Sequence, residues 1–418
     1  MKLEDIYELY TKHYLVDTDT RNIRKNTIFF ALKGGNFNGN AFAEEALNKG
    51  ALYSVVDEKE YQTKPNIILV DNVLETLQKL ANFHRKKLAI PIIGLTGSNG
   101  KTTTKELINV VLKEKFNTYA TKGNLNNHIG VPLTLLSMNP NTEIGIVEMG
   151  ANHHKEIAFL SEISEPDYGY ITNFGKAHLE GFGSVEGVIE AKSELYDFLI
   201  KSEGEIFVNT NDPIQVSKTK NADTIPISVS IEYIDSNPYV KLNYKGVEIQ
   251  SNLTGRYNYN NIACAITIGK YFNVSVESIK KAIESYIPSN NRSQVLKKGT
   301  NEIILDAYNA NPTSMKAALE NFYELSSEKR KVVILGDMFE LGKDSAYEHQ
   351  TISDMTEDFK FDSIYLIGEN FSMTNGNQLK FKEFNDFINE LSSFNLKDVN
   401  ILIKGSRGMA LERILDHL

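Results

Sequence analysis

The stretch Pro91 to Glu106, PIIGLTGSNGKTTTKE, carries the residues of this chain best suited to chemistry. Within it Thr96, Gly97, Ser98, Asn99, Gly100, Lys101, Thr102 and Thr103 form a glycine-bearing turn that ends on lysine and threonines. Glycines let backbone N–H groups turn inward on phosphate oxygens, and a following helix N-terminus adds partial positive charge. Lys101 adds a full charge, and the Thr102 hydroxyl suits Mg²⁺. The chemistry implied is a cradle for a nucleoside triphosphate. Its spacing departs from the common G-x-x-x-x-G-K-[ST] form, because Leu95 stands five before Gly100 and Gly97 is the only upstream loop glycine.

Other polar groups gather elsewhere. Asn124, Asn126, Asn127 and His128 crowd one segment, where amides supply donors and acceptors for sugar, peptide or base edges, or simply make turns. Glu148 closes the apolar run of IGIVEMGA, and a carboxylate at the C-terminal end of a sheet strand is placed to meet ligands and Mg²⁺. His153 and His154 read as a solvated loop, His178 and Glu180 as a second loop, and Lys192 alone reads as a surface charge on a helix. Asp306 ends the strand pattern EIILDA, and Tyr308-Asn309-Ala310-Asn311-Pro312 makes a turn before a helix. Asp337 and Glu340 follow another strand, and Lys404, Ser406 and Arg407 stand at an expected helix start, suited to a carboxylate. Lys33-Gly34-Gly35-Asn36 is a turn that either holds an anion or sugar or exists only for positive φ.

The elements that must position these groups follow from periodicity. Ile90, Ile92, Ile93 and Leu95 read as a buried strand, and Leu107, Val110 and Val111 recur at helical spacing over Thr102 to Lys113. Residues 1–86 read as a small α/β unit: a first helix, the strand Ile28 to Leu32, the helix AFAEEALNKG and the strand ALYSVV. Residues 87–288 alternate strand and helix, which predicts a mostly parallel sheet covered on both faces, with 213–250 strand-rich. Residues 289–418 repeat strand, glycine turn and helix, which predicts a second doubly wound unit. The fold class expected is therefore α/β in three domains. A chain of 418 residues exceeds one ordinary core.

Composition narrows the function classes. Apolar content of 41% and charged content of 24% suit a soluble globular protein. Cys264 is the single cysteine, so no intramolecular disulfide forms, and no His/Cys cluster has zinc spacing. The N-terminus MKLEDIYELY lacks a leader's basic and apolar regions, and no apolar run spans a bilayer, which predicts a cytoplasmic protein with no membrane span. A net charge of −9 argues against a non-specific nucleic-acid binder while leaving room for a local basic phosphate pocket.

Together the segments TGSNGKTTTKE, GNLNNHIGVP, VEMGANH, NFGKAHLEGFGS, AKSEL, TGRYNYNN, NRSQ, DAYNANPTSM, LGDMFELG and KGSRGMALE, with DTRNIRKNTIFFALKGGNFNGNAF upstream, resemble the Mur ligase family over nearly the whole chain. These are ATP-dependent enzymes that form amide bonds in peptidoglycan precursor synthesis. The D-N-P-R signature of the diaminopimelate-adding branch is absent, and DAYNANPTSM stands in that region. The resemblance therefore points to the branch joining D-alanyl-D-alanine to UDP-N-acetylmuramoyl-tripeptide through an acyl phosphate. It implies an N-terminal domain for the UDP moiety, a central P-loop-type ATPase and a C-terminal Rossmann-like domain; the chain is expected to be a monomer. It implies that Thr96 to Thr103 bind ATP, that Lys101 touches the phosphates, and that Thr102 and Glu148 hold Mg²⁺. His178 matches the ligand of a second Mg²⁺, and Lys192 matches a lysine the family carbamylates, turning a cation that repels the metal into an anion that positions it. Lys101, Lys192 and His178 form the implied catalytic set. Asn258 and Asn261 match the nucleotide-base region, and Arg292 and Asp306 match groups around the ribose and γ-phosphate. Thr20, Arg21, Lys33 and Gly34 match the UDP motif, while Asn126, Asn127, Asn309, Asn311 and Arg407 are candidates for the peptide substrates. The rivals are another amino-acid-adding ligase of the family, a folylpolyglutamate synthetase-like enzyme, or a catalytically silent scaffold. Intact Lys101, Glu148, His178 and Lys192 weigh against the scaffold.

Overall fold

The computed structural model describes residues 1–289 and 291–418; Asn290, which falls within the expected third domain, lies outside the described residues. The first unit is a parallel sheet in the order Val16–Asp17, Ile28–Phe30, Tyr53–Val56, Ile67–Leu69. Ile28–Phe30 is buried on both faces, as a parallel strand between layers must be. The Lys33 turn is a small hairpin pairing Lys33–Gly34 with Phe37–Asn38. The helix Val73–Leu88 leads out of this unit: Asn72 caps its start by accepting from the Glu75 N–H at 2.9 Å, and Ala89 in a left-handed conformation ends it. Its apolar face, Val73, Leu77, Leu80 and Ala81, packs on the helices Gly130–Leu135 and Glu156–Ser164 of the second unit.

The second unit is organised on Ile92–Thr96, which is wholly buried. Six parallel strands run in the order Thr224–Pro226, Glu205–Val208, Tyr168–Ile171, Ile92–Thr96, Ile144–Glu148, Thr118–Ala120. From the middle strand the chain moves to the Thr118 edge, steps back to Ile144–Glu148, and only then crosses to Tyr168–Ile171. The crevice beyond the carboxyl ends of these strands is where such sheets bind ligands. A three-stranded antiparallel sheet, Ile231–Asp235, Tyr239–Tyr244 and Val247–Thr254, follows within the region expected to be mostly parallel. Its cause is local: Lys245 and Gly246, both at positive φ, make a two-residue turn that can join only antiparallel strands.

The third unit carries six strands in the order Gln294–Lys298, Asn301–Asp306, Val399–Lys404, Arg330–Gly336, Ser363–Ile367, Leu379–Phe381. The first pair is antiparallel and the rest are parallel. The turn before Pro312–Glu324 works as its residues predict, with Asn311 capping the helix and Pro312 in its first turn. The helix expected at Arg407 is not an α-helix. Two short 3₁₀ segments, Arg407–Met409 and Leu411–His417, are broken by Ala410 at φ 47°, so no helix dipole supports a carboxylate there. Among the described residues no helix is long and apolar enough to cross a membrane.

Candidate active site

The carboxyl ends of the second and third sheets face one another across a cavity of about 790 Å³. On one wall stand Ser98 to Thr103, Asn126, Asn127, Glu148, His178, Asn258 and Asn261; on the other stand Arg292, Asp306, Asn309 and Arg407.

The phosphate loop is set by its neighbours. Gly97 has φ 138°, and a Cβ there would lie 2.0 Å from Thr172 Oγ1, so only glycine lets the loop pass over that strand end. Thr172 Oγ1 donates to the Asn99 carbonyl at 2.6 Å, Asn173 Nδ2 donates to the same oxygen at 3.0 Å, and Asn173 Oδ1 accepts from the Asn99 N–H at 3.1 Å. Lys101 Nζ donates to the Gly97 and Ser98 carbonyls at 2.6 and 3.2 Å. Burial lowers the pKa of its amine, the Glu148 charge opposes that shift, and Arg292 adds to it.

Glu148 ends its strand 1% exposed. Oε1 accepts from Thr102 Oγ1 at 3.3 Å and Asn126 Nδ2 at 2.9 Å, while Oε2 is buried without a hydrogen-bond partner among the described residues. A buried carboxylate oxygen with no donor, beside a threonine hydroxyl and a phosphate loop, fits a hard divalent cation. Asn126 thus bonds the carboxylate, and Asn127 Oδ1 holds the turn before the next helix by accepting from the Ile129 and Gly130 N–H groups at 3.1 and 2.9 Å.

Asn258 and Asn261 line the cavity but spend their amides on structure. Asn261 Oδ1 accepts from Thr104 Oγ1 at 3.0 Å, and its Nδ2 donates to Asn258 Oδ1 at 2.8 Å. His178, at φ 53°, pairs through Nδ1 with Glu340 of the third unit, itself at φ 61°. The His178 hydrogen bond holds the Glu340 carboxyl below its usual range. Non-glycine residues in this backbone region concentrate at functional sites.

On the far wall the Arg292 guanidinium stacks 3.7 Å from the Tyr308 ring centroid. Lys404, 1% exposed, donates to Asp306 Oδ2 at 2.5 Å and to the Asn309 carbonyl at 3.2 Å. Asn311 reaches across the boundary, donating from Nδ2 to Asn99 Oδ1 at 2.7 Å.

Lys192 is no surface charge. It is fully buried behind the cavity wall, donating from Nζ to the Ala151 carbonyl at 3.0 Å, with the Phe182 ring 5.1 Å away. Burial first, and the Lys101 charge second, push its amine well below the ordinary lysine value. Thr96 ends its strand and Gly97 opens the loop, and neither lines the cavity. The four residues expected to bind UDP stand apart from the cavity, in the first unit: Arg21 pairs with Asp19, and Lys33 bonds Asp57 and Glu58 at 2.9 Å each, beside Gly34, with Thr20 at the start of a 3₁₀ turn. No local signal in the sequence by itself gives Asn173, Tyr308 or Glu340 a role. Asn173 and Glu340 were the more findable, since each closely follows a buried strand.

Three models match in sequence: Mur ligase family, catalytic domain, over residues 12–85; Mur ligase middle domain over 95–269; and Mur ligase, glutamate ligase domain over 291–406. The UDP-N-acetylmuramoyl-tripeptide--D-alanyl-D-alanine ligase of Bacillus subtilis (strain 168) is 34% identical over 422 residues, covering 96% of this chain and 92% of the relative. Its namesake from Escherichia coli (strain K12) is 30% identical over 420 residues, with the same coverage of 96% and 92%. The structure of MurF ligase from Thermotoga maritima in complex with ADP superimposes with a TM-score of 0.86 at 26% identity, covering 100% of this chain and 98% of that one. A three-domain α/β architecture with a P-loop-type centre is common to the chain and these neighbours. Because the three matches follow one another along most of the chain and relatives of nearly full length agree with them, the chain belongs to the Mur ligase family.

Proposed function

We propose that the chain is an ATP-dependent ligase that joins D-alanyl-D-alanine to UDP-N-acetylmuramoyl-tripeptide in the cytoplasmic synthesis of peptidoglycan precursors, acting as a monomer. The observation that carries this reading is one cavity shared by Lys101, the unpartnered oxygen of Glu148, and the Arg292, Asp306 and Arg407 side chains of the facing unit. The names of the relatives supply the substrates. The working division is a UDP-binding domain at 1–86, an ATP-binding domain at 87–288 and a domain for the incoming amine at 289–418.

A carboxylate does not acylate an amine at neutral pH, because resonance stabilises its carbonyl and its leaving group would be oxide. In the reaction proposed, an oxygen of the terminal tripeptide carboxylate attacks the γ-phosphorus of ATP. The bond to the β,γ-bridging oxygen breaks, and ADP departs with that electron pair. The amine of D-alanyl-D-alanine then adds to the acyl carbon and loses a proton. The carbon–oxygen bond to phosphate breaks, and inorganic phosphate leaves with one former carboxylate oxygen. Two anions must meet in the first step, so Lys101 and the loop N–H groups offset charge on the transferring group. Mg²⁺ held by Thr102 and Glu148 would neutralise phosphate charge when bound. Burial disfavours the charged form of Lys192, which suits its amine to addition to CO₂; the resulting carbamate with His178 is the reading for a second Mg²⁺. Arg292 and Asp306 are assigned to the nucleotide, and Asn309 and Arg407 to the dipeptide. Water must be kept from the acyl phosphate, which the walls of two facing units can do.

The test is ADP release by the purified chain with Mg²⁺, with and without each substrate. Release that needs both the tripeptide precursor and D-alanyl-D-alanine supports the reading. Release with a single amino acid in place of the dipeptide would assign another branch of the family, and ATP binding without turnover would point to a scaffold.

A further inference from the structure

Lys176 and Glu348 lie outside the cavity, on opposite sides of the boundary between the second and third units. The segment Thr172 to Glu180 is bonded to both. Toward the phosphate loop, Thr172 and Asn173 hold Asn99, and the Gly175 carbonyl accepts from Ser98 Oγ at 2.7 Å. Toward the third unit, the Lys176 N–H donates to Thr313 Oγ1 at 3.0 Å and Lys176 Nζ to Glu348 Oε1 at 2.6 Å. The Glu180 N–H then donates to the Glu340 carbonyl at 3.2 Å. Glu348 is 5% exposed, and Lys176 is the one hydrogen-bond donor to its carboxylate among the described residues.

We infer that Lys176 and Glu348 are a positioning pair that locks the amine-carrying unit against the phosphate loop. The inference rests on the ligase reading for its kinetic consequence, though not for its structural one. The Lys176 side chain is 43% exposed while Glu348 is buried, so separating the two units breaks a half-buried, charge-assisted hydrogen bond and takes from the Glu348 carboxylate the one donor it has among the described residues. The same strap that shapes the nucleotide loop at Asn99 thereby fixes where Arg407 and Asn309 stand. The pair touches no reacting atom; it sets the distance between the groups that do.

The experiment uses the full chain with Lys176→Met, the nearly isosteric Glu348→Gln, and the exchanged double variant Lys176→Glu/Glu348→Lys, each checked for folding by circular dichroism. Small-angle scattering without substrates reads the separation of the units, and steady-state kinetics reads KM for ATP and for D-alanyl-D-alanine separately. The single variants are expected to enlarge the radius of gyration and to raise KM for the dipeptide about tenfold, more than KM for ATP, with the exchange restoring both toward the parent. Folded single variants with the parent's radius of gyration would overturn the inference, as would an exchange no better than the singles. If the parent chain does not use the dipeptide, the ligase reading fails while the scattering result still judges the pair.

Discussion

Gly97, Lys101, Glu148 and Lys192 each fail in a different way when changed. Gly97→Ala would place a methyl 2.0 Å from Thr172 Oγ1 at a backbone angle that L residues avoid. It should cost about 2 kcal/mol or more, read as a lower urea midpoint. Lys101→Ala should leave stability near that of the parent and lower kcat about 100-fold or more, because the lost charge acts on the transferring phosphoryl group. Glu148→Gln removes a charge from the candidate Mg²⁺ site; the Mg²⁺ concentration giving half-maximal turnover should rise, and a chelator should abolish turnover of the parent. Lys192→Met removes a buried amine without emptying its space, so the fold should hold while turnover is lost. Turnover kept in that variant would exclude the carbamate. The phosphate loop was legible in the sequence because its chemistry lies in consecutive residues. The burial of Lys192 was not, since the Ala151 carbonyl and the Phe182 ring that enclose it come from other segments.

Among the elements, Val73–Leu88 ties the first unit to the second, and His84 marks the joint. The ring is fully buried, with Nε2 donating to the Met138 carbonyl at 3.0 Å and Nδ1 accepting from the Tyr7 hydroxyl at 3.4 Å. Burial lowers its pKa from 6.5 to about 4. The unfolded chain therefore takes up a proton between these values that the folded chain refuses. The stability from the neutral ring is whole above pH 6.5 and is lost as pH falls toward 4, by up to about 3 kcal/mol. Urea unfolding at pH 7 and pH 5 should show about 2 kcal/mol of this loss in the parent and much less in His84→Gln. Strands and helices near the loop were legible from apolar period and glycine position. The antiparallel sheet at 231–254 was not separated from the parallel one, because strand residues look alike in both and only the Lys245-Gly246 turn distinguishes them. The helix expected at Arg407 misled for a related reason: Ala410 is an ordinary helix former by type and left-handed by context.

For the whole molecule, the doubly wound architecture could be read from alternating patterns, whereas the meeting of the two sheet ends could not. Asn99 with Asn311, His178 with Glu340 and Lys176 with Glu348 join residues far apart in the chain, and nothing local in either partner announces the other. In the proposed reaction that meeting brings a phosphate donor to a carboxylate and then an amine to the product. The most direct measurement uses a UDP-N-acetylmuramoyl-tripeptide whose terminal carboxylate is labelled with heavy oxygen, turned over with ATP and D-alanyl-D-alanine. Mass analysis should find one labelled oxygen in the inorganic phosphate for each amide formed; phosphate free of label would show that the carboxylate never attacked the γ-phosphorus and would contradict the mechanism.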